Sequence, residues 1–375
     1  MKEPLVDYPW KDTLEKILNS EVLQDKDLLP FLFDVVMSLA YIDSTNNLSN
    51  NLEFCSSGHS DYNAHLGFIN LCAKCYAHKI WRYQKAAKPS SGALGKLSSE
   101  LILKFISSKF EDFNKVQVVG GTNYADAIIH CKSGELIYAE VKSAPLITFP
   151  LLVKVPFSDI EEHEKLEITH SQLQECDSAL YINDHIDIPL GKVHSHLWPF
   201  QGLLDFIEKI DNKKLIYAGF DHWNKARDLY KSKDKTDPIY YLVNASGAPP
   251  QIAKTDFGWP KKEVISDSKT SAGLDRTDDI KKGIYQTLKI GSNHRHEPHV
   301  KTAIISNLPA YRHEKGYIKD LIPLVWGDEA NIVNDPEIGE YISKDNLRYV
   351  FDYIITLDYS TLRDLETESA SKPSS

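Results

Sequence analysis

Residues Lys115–Lys142 read KVQVVGGTNYADAIIHCKSGELIYAEVK. KVQVVGG predicts a strand ending in two glycines, YADAIIHC a second strand, KSG a turn and ELIYAEVKS a third strand. Charge sits where a sheet is ordinarily apolar. Asp126 falls in the second strand and Glu140 and Lys142 in the third, among Ala125, Ala127, Ile128, Ile129, Ile137, Tyr138, Ala139 and Val141. Burying two carboxylates and an ammonium in such company is costly unless they are paired or hold an ion.

Register decides whether these charges meet. A three-residue loop, Lys132-Ser133-Gly134, with Gly134 in the left-handed conformation and a bulge after it, sets Cys131 opposite Glu135. Counting back puts Asp126 opposite Glu140. Cross-strand partners share a face with Cβ atoms ~4.5–5.5 Å apart, and Lys142, two residues on, joins that face. A two-residue loop would shift the register by one and split the carboxylates between faces. Two adjacent carboxylates suit a hard divalent cation, with waters and a substrate phosphate completing its shell. A lysine beside them can orient the attacking water or offset developing charge. The set is one for phosphodiester hydrolysis. Gly120-Gly121 lacks the spacing of a phosphate-cradling loop and reads as a turn.

An Asp followed by Glu-x-Lys on the next strand, after an amphipathic helix and a strand, resembles the PD-(D/E)xK nuclease superfamily. The matching residues are Tyr124-Ala125-Asp126 and Ala139-Glu140-Val141-Lys142; the proline that commonly precedes the aspartate is absent. Glu100 lies mid-helix upstream, where many members carry an auxiliary acid. Downstream, DDIKKGIYQTLKIG and HVKTAIISN look like the helix and strand that close the family's core, with Gln286 and Lys289 facing the site. The resemblance covers roughly 91–150 and 275–310 and is most like a type II restriction endonuclease. It implies Mg²⁺ held by Asp126, Glu140 and the Val141 carbonyl, with Asp126, Glu140, Lys142 and Glu100 as catalytic residues. It also implies cleavage of double-stranded DNA to 5′-phosphate and 3′-hydroxyl ends, a homodimer if the site is palindromic, and a cognate DNA methyltransferase that protects the host. The alternatives are a repair or junction-resolving nuclease of the same fold, or a non-catalytic DNA-binding module stabilised by zinc.

The expected fold class is α/β: a mixed sheet flanked by helices, with a helical N-terminal region and a long insertion. The boundaries predicted are 1–90 for the N-terminal region, 91–156 and 271–362 for the core, 157–270 for the insertion and 363–375 for a disordered tail. Helices are expected over 10–45, over 63–87, over 93–110 with Leu97, Leu101, Ile102, Phe105 and Ile106 on one face, around 160–176 and over 198–210. A further helix, DRTDDIKKGIYQTLKIG, is expected to be capped by Asp275 or Thr277. Strands are expected at SALYIN, KLIYAGF, PIYYLVN, HVKTAIISN and LIPLVWG, and the stretch from Ser246 to Gly273 reads as a loop.

The chain has 375 residues and a net charge of −10, but its basic residues cluster. Lys74–Lys109 holds eight Lys/Arg against one acid and Lys281–Lys319 eight against two, leaving 27 basic and 50 acidic residues elsewhere. Two basic segments in an acidic protein are expected to flank a polyanion. Five cysteines give no disulfide framework, and neither a signal peptide nor a spanning segment is read, so a reducing prokaryotic cytoplasm is expected. Cys72-Ala73-Lys74-Cys75 with His78, and Cys55, His59 and His65 upstream, form a candidate zinc site. The expected pattern is helical there and no second CxxC follows, so buried core cysteines are the competing reading. His294, Arg295, His296 and His299 form a loop that could touch phosphate or base edges.

Overall fold

The computed structural model describes residues 8–45, 47–57, 61–87, 91–119, 124–156, 161–256, 258–266 and 271–358. Gly120-Gly121, His59 and the tail from 363 lie outside them. The protein is α/β with mixed sheets and divides into two compact units: 1–4, 98–144 and 272–375 in one, and 5–97 with 145–271 in the other. The N-terminal region and the insertion therefore fold together as one body. Among the described residues no helix is long and apolar enough to cross a membrane.

The first unit is built around the Ala127–Cys131 and Leu136–Val141 hairpin. Helix α1 (Ser91–Lys109) enters it at Ser98, and β1 (Phe113–Val118), β2 (Ala127–Cys131) and β3 (Leu136–Val141) follow as an antiparallel meander. The chain returns through α2 (Thr277–Asn293), β4 (Val300–Ser306) and β5 (Tyr353–Thr356). The sheet order is β5-β4-β3-β2-β1, with β3–β4 and β4–β5 parallel. Parallel strands with both faces covered read as continuous apolar runs, and in β4 every residue but Lys301 is buried. The predicted apolar face of α1 is buried at all five positions. The Lys109 ammonium, itself buried, donates to the Leu357 carbonyl beyond β5 at 3.0 Å. That lysine of the first basic segment is thus structural.

The second unit centres on the helix Leu29–Asp43, buried on all sides from Leu29 to Ile42. A helix apolar all round belongs inside a core. Beside it an antiparallel sheet runs in the order Glu53–Phe54, Ala64–Leu66, Leu151–Val153, Asp177–Asn183, Ile186–Lys192. One polar knot ties the helix to the chain that leaves the first unit. The Asp34 carboxylate accepts from the Leu146 and Ile147 amides (3.0 and 2.9 Å) and from the Trp223 indole (2.7 Å), and Ser38 accepts from Phe149 N at 2.8 Å.

Several expectations are corrected. The segment 63–87 is no long helix: it is the strand Ala64–Leu66 and a five-residue helix, Ala73–Ala77, because its groups pair with distant chain, as in His65 with Leu152. KLIYAGF belongs to the helix Lys213–Ser232, whose buried Ile216, Gly219, Trp223, Ala226 and Tyr230 repeat every three to four residues. PIYYLVN is a 3-10 turn over Pro238–Leu242, started by Asp237, whose side chain accepts from Ile239 N. Around 160–176 only His170–Gln174 is α-helical among the described residues, and LIPLVWG contributes just Val325–Trp326 as strand. Gln251–Asp256 is a helix within the expected loop. Arg276, not Asp275 or Thr277, occupies the cap position of α2; Asp275 instead accepts from Arg312 N at 2.7 Å.

Candidate active site

The hairpin has the register that joins the acids. Ala127 pairs with Ala139 and Ile128 with Tyr138; Asp126, one step before β2, donates its amide to the Ala139 carbonyl at 2.9 Å, and its carboxylate lies beside that of Glu140. Gly134 is at φ +91° and donates to the Cys131 carbonyl at 3.1 Å, while Cys131 N donates to Glu135 O at 2.9 Å, closing the three-residue loop. The glycine has the left-handed backbone that this loop demands.

Around this pair the side chains converge. Val141 N donates to the Asp126 carboxylate at 2.8 Å, which fixes its rotamer. Lys142 Nζ donates to the Glu140 carboxylate and, at 3.3 Å, to the Val141 carbonyl. Glu140 is only 7% exposed. Burial raises its pKa first; the Lys142 ammonium lowers it and the neighbouring Asp126 charge raises it again. Two carboxylates, a backbone carbonyl and an ammonium thus meet at one strand end. The donor set is all oxygen, as a hard divalent cation requires.

Helix α2 covers the same face. Ile304 lies beside Glu140 in the sheet, and Gly283 sits so close to it that a Cβ would stand 3.1 Å from the Ile304 side chain. One turn on, the Gln286 carbonyl oxygen is buried without a hydrogen-bond partner. The Lys289 ammonium lies 3.9 Å from the centre of the Tyr124 ring, two residues before Asp126. Gln286 and Lys289 therefore belong to the helix that covers this face. Glu100 stands half-buried on α1, two residues after Ser98, whose hydroxyl donates to the Ser143 carbonyl at 3.1 Å.

The strand end is held by residues that no motif indicated. Asn307, fully buried after β4, accepts from Ala144 N at 3.0 Å and donates to Ala144 O at 2.8 Å. Gly273 N donates to the same carbonyl at 2.9 Å. Gly273 is at φ +52°, and a Cβ there would lie 2.4 Å from the Leu308 carbonyl oxygen. Gly273→Ala is therefore expected to lower stability by ~2–4 kcal/mol, through a strained backbone and a clash that backbone must absorb. Urea unfolding would read this as a fall in midpoint, and an unchanged midpoint would contradict the close approach.

The histidine-rich loop is tied down internally. His294 Nδ1 lies 3.0 Å from Glu297, Arg295 pairs with Asp328 at 2.5 Å, and Arg348 donates to the carbonyls of His294, Glu297 and Val300. Its cation at 295 is thus engaged with a carboxylate.

A second cluster lies in the other unit. Cys55, Cys72, Cys75 and His163 bring their ligand atoms within 4.8 Å of one another and could hold a metal ion. Cys72 and Cys75 were expected partners and Cys55 a candidate; His163 was not anticipated, because nothing in EEHEKLE marks it. His65 and His78 are not among the four: His65 bonds Gln84 at 2.5 Å with its ring 6.3 Å from that of His163, and His78 faces Asp184 at 3.9 Å. All five cysteines are free thiols. The Cys55 thiol is pushed far down, first by Cys72 and then by Cys75.

No family model, curated protein or solved structure matches this chain.

Proposed function

We propose that the protein is a Mg²⁺-dependent endonuclease that cleaves double-stranded DNA at a short specific sequence, a type II restriction endonuclease built on a restriction-endonuclease-like core. The observation that carries this reading is the approach of the Asp126 and Glu140 carboxylates at the end of the hairpin, with Lys142 bonded to Glu140. A structural ion pair needs one acid for one lysine. Here Lys142 bonds Glu140, and the second acid, Asp126, adds its charge beside that half-buried pair, an arrangement that is unfavourable without a further cation.

Asp126, Glu140 and the Val141 carbonyl would hold the Mg²⁺. When bound, that ion polarises the scissile phosphate and lowers the pKa of its water. The protein's own part is positional. The Val141 amide keeps the Asp126 carboxylate turned to the site. Lys142 Nζ, now shared between Glu140 and the Val141 carbonyl, orients the attacking water and offsets charge on the phosphate. The buried Gln286 amide oxygen, without a protein partner, is available to that water. Glu100 would serve as an auxiliary acid from α1. As a restriction enzyme the protein would act as a homodimer on a palindromic site, beside a methyltransferase of the same specificity.

The test is incubation with unmethylated phage DNA and Mg²⁺. Discrete fragments, abolished by EDTA, are expected. A smear would indicate a non-specific or structure-selective nuclease of the same chemistry. DNA left intact across several metals and sequences would remove the nuclease reading.

A further inference from the structure

We propose that Cys55, Cys72, Cys75 and His163 form a closed, structural zinc site, and that Lys74 is its buried counter-charge. This inference is independent of the nuclease reading, since all five residues belong to the other unit.

The distances fit. Tetrahedral zinc with bonds of about 2.3 Å to sulfur and 2.0–2.1 Å to nitrogen places its sulfurs ~3.8 Å apart and sulfur from nitrogen ~3.5 Å. Cys55 Sγ lies 3.6 Å from Cys75 Sγ and 3.8 Å from Cys72 Sγ, and Cys75 Sγ lies 3.3 Å from His163 Nε2. A disulfide would need sulfurs about 2.05 Å apart, and no two are. Four ligands from N and S complete a structural site and leave no open position for catalysis.

The ligands come from three stretches held in place by backbone pairing. Cys55 follows the strand Glu53–Phe54, with its amide donating to Asn63 O at 2.7 Å. Cys72 and Cys75 begin the helix Ala73–Ala77. His163, in the left-handed conformation at φ 64°, donates its amide to Phe54 O at 2.7 Å. The left-handed turn swings its imidazole toward the thiols. Hydrophobic contact explains neither the histidine nor the lysine.

Lys74 is the independent observation. It is 1% exposed, and its ammonium donates to the Cys55 carbonyl (3.2 Å) and the Tyr62 carbonyl. A cation so buried needs a negative charge nearby. Three thiolates and a neutral imidazole around Zn²⁺ carry a net charge of −1, which the ammonium balances; three neutral thiols would leave only the more distant Asp187 carboxylate to offset it.

The experiment uses the full chain. Purified after growth with zinc, it is expected to hold one zinc per chain by elemental analysis, beyond whatever Asp126→Asn removes. Cys75→Ser should bring that zinc to near zero. Should Cys75→Ser fail to fold, cobalt substitution of the wild-type protein decides. Intense visible bands of tetrahedral Co²⁺ with thiolate charge transfer support the site, and the weak spectrum of an octahedral oxygen site overturns it. A folded wild-type chain with less than a tenth of an equivalent of zinc after reconstitution, or a Cys75→Ser protein with undiminished zinc, would also overturn it.

Discussion

Asp126→Asn is expected to reduce DNA cleavage by about 10²–10³-fold or more and to make the metal-free protein more stable. The loss of activity follows from removing one of two carboxylates that would hold the cation and its developing charge. The gain in stability follows from Glu140. Its carboxylate is buried, and the Asp126 charge adds to the cost that Lys142 offsets. The asparagine oxygen can still accept from Val141 N, so the hairpin keeps that bond. Relief of like-charge repulsion in a half-buried pair is worth ~1 kcal/mol. The sign with pH is fixed by the direction of the Glu140 shift. A carboxyl whose folded pKa is raised contributes stability below its unfolded pKa and loses it as pH rises through the folded value. The advantage of Asp126→Asn should thus be small in acid, where the Glu140 carboxyl is protonated, and grow toward neutral pH. Cleavage and denaturant midpoints measured together check this. An ordinary surface ion pair would give the reverse: cleavage unaffected or absent throughout, and a small loss of stability.

Asp34→Ala is expected to destabilise the second unit by ~3–5 kcal/mol, the range for breaking a buried polar network. It strips the acceptor from the Leu146 and Ile147 amides and the Trp223 indole at once, and leaves a cavity in the central helix. Asp34→Asn, which retains one oxygen, should cost less. Burial pushes the Asp34 pKa up from 3.8 to about 8, against the lowering effect of the Ile147, Trp223 and Leu146 N–H groups. Because the folded pKa is the higher one, this group's stabilisation is full below about pH 4 and falls as pH rises toward 8, at ~1.4 kcal/mol per unit. Chemical denaturation between pH 5 and 8 should show that slope in the wild type and its absence in Asp34→Asn. Equal slopes in the two proteins would show that Asp34 is ionised throughout.

The local reading succeeded where structure is set by short-range rules. The hairpin register depends on one loop length and one glycine, so Gly134 sufficed to pair Ala127 with Ala139 and bring the Asp126 and Glu140 carboxylates together. The helices Ser91–Lys109 and Thr277–Asn293 and the strand Val300–Ser306 carried their own periodicity. It failed where apolar runs are ambiguous. KLIYAGF has the composition of a strand, yet the Trp223 and Tyr230 anchors that make it helical lie beyond the run. The basic segments misled in part for a similar reason: Lys74 and Lys109 are charges consumed inside the fold.

By itself, then, the sequence determined the α/β class, through the periodicity of its elements, and the acidic hairpin with its register, which rests on contacts within about thirty residues. Tertiary structure alone decided the rest. It joined the N-terminal region to the insertion as one unit, and clamped the end of β3 with Asn307 and Gly273. It also brought His163 to three cysteines that lie about ninety or more residues earlier in the chain. Those partners meet through backbone pairing between distant segments, and no local pattern of residues encodes which distant segment will arrive.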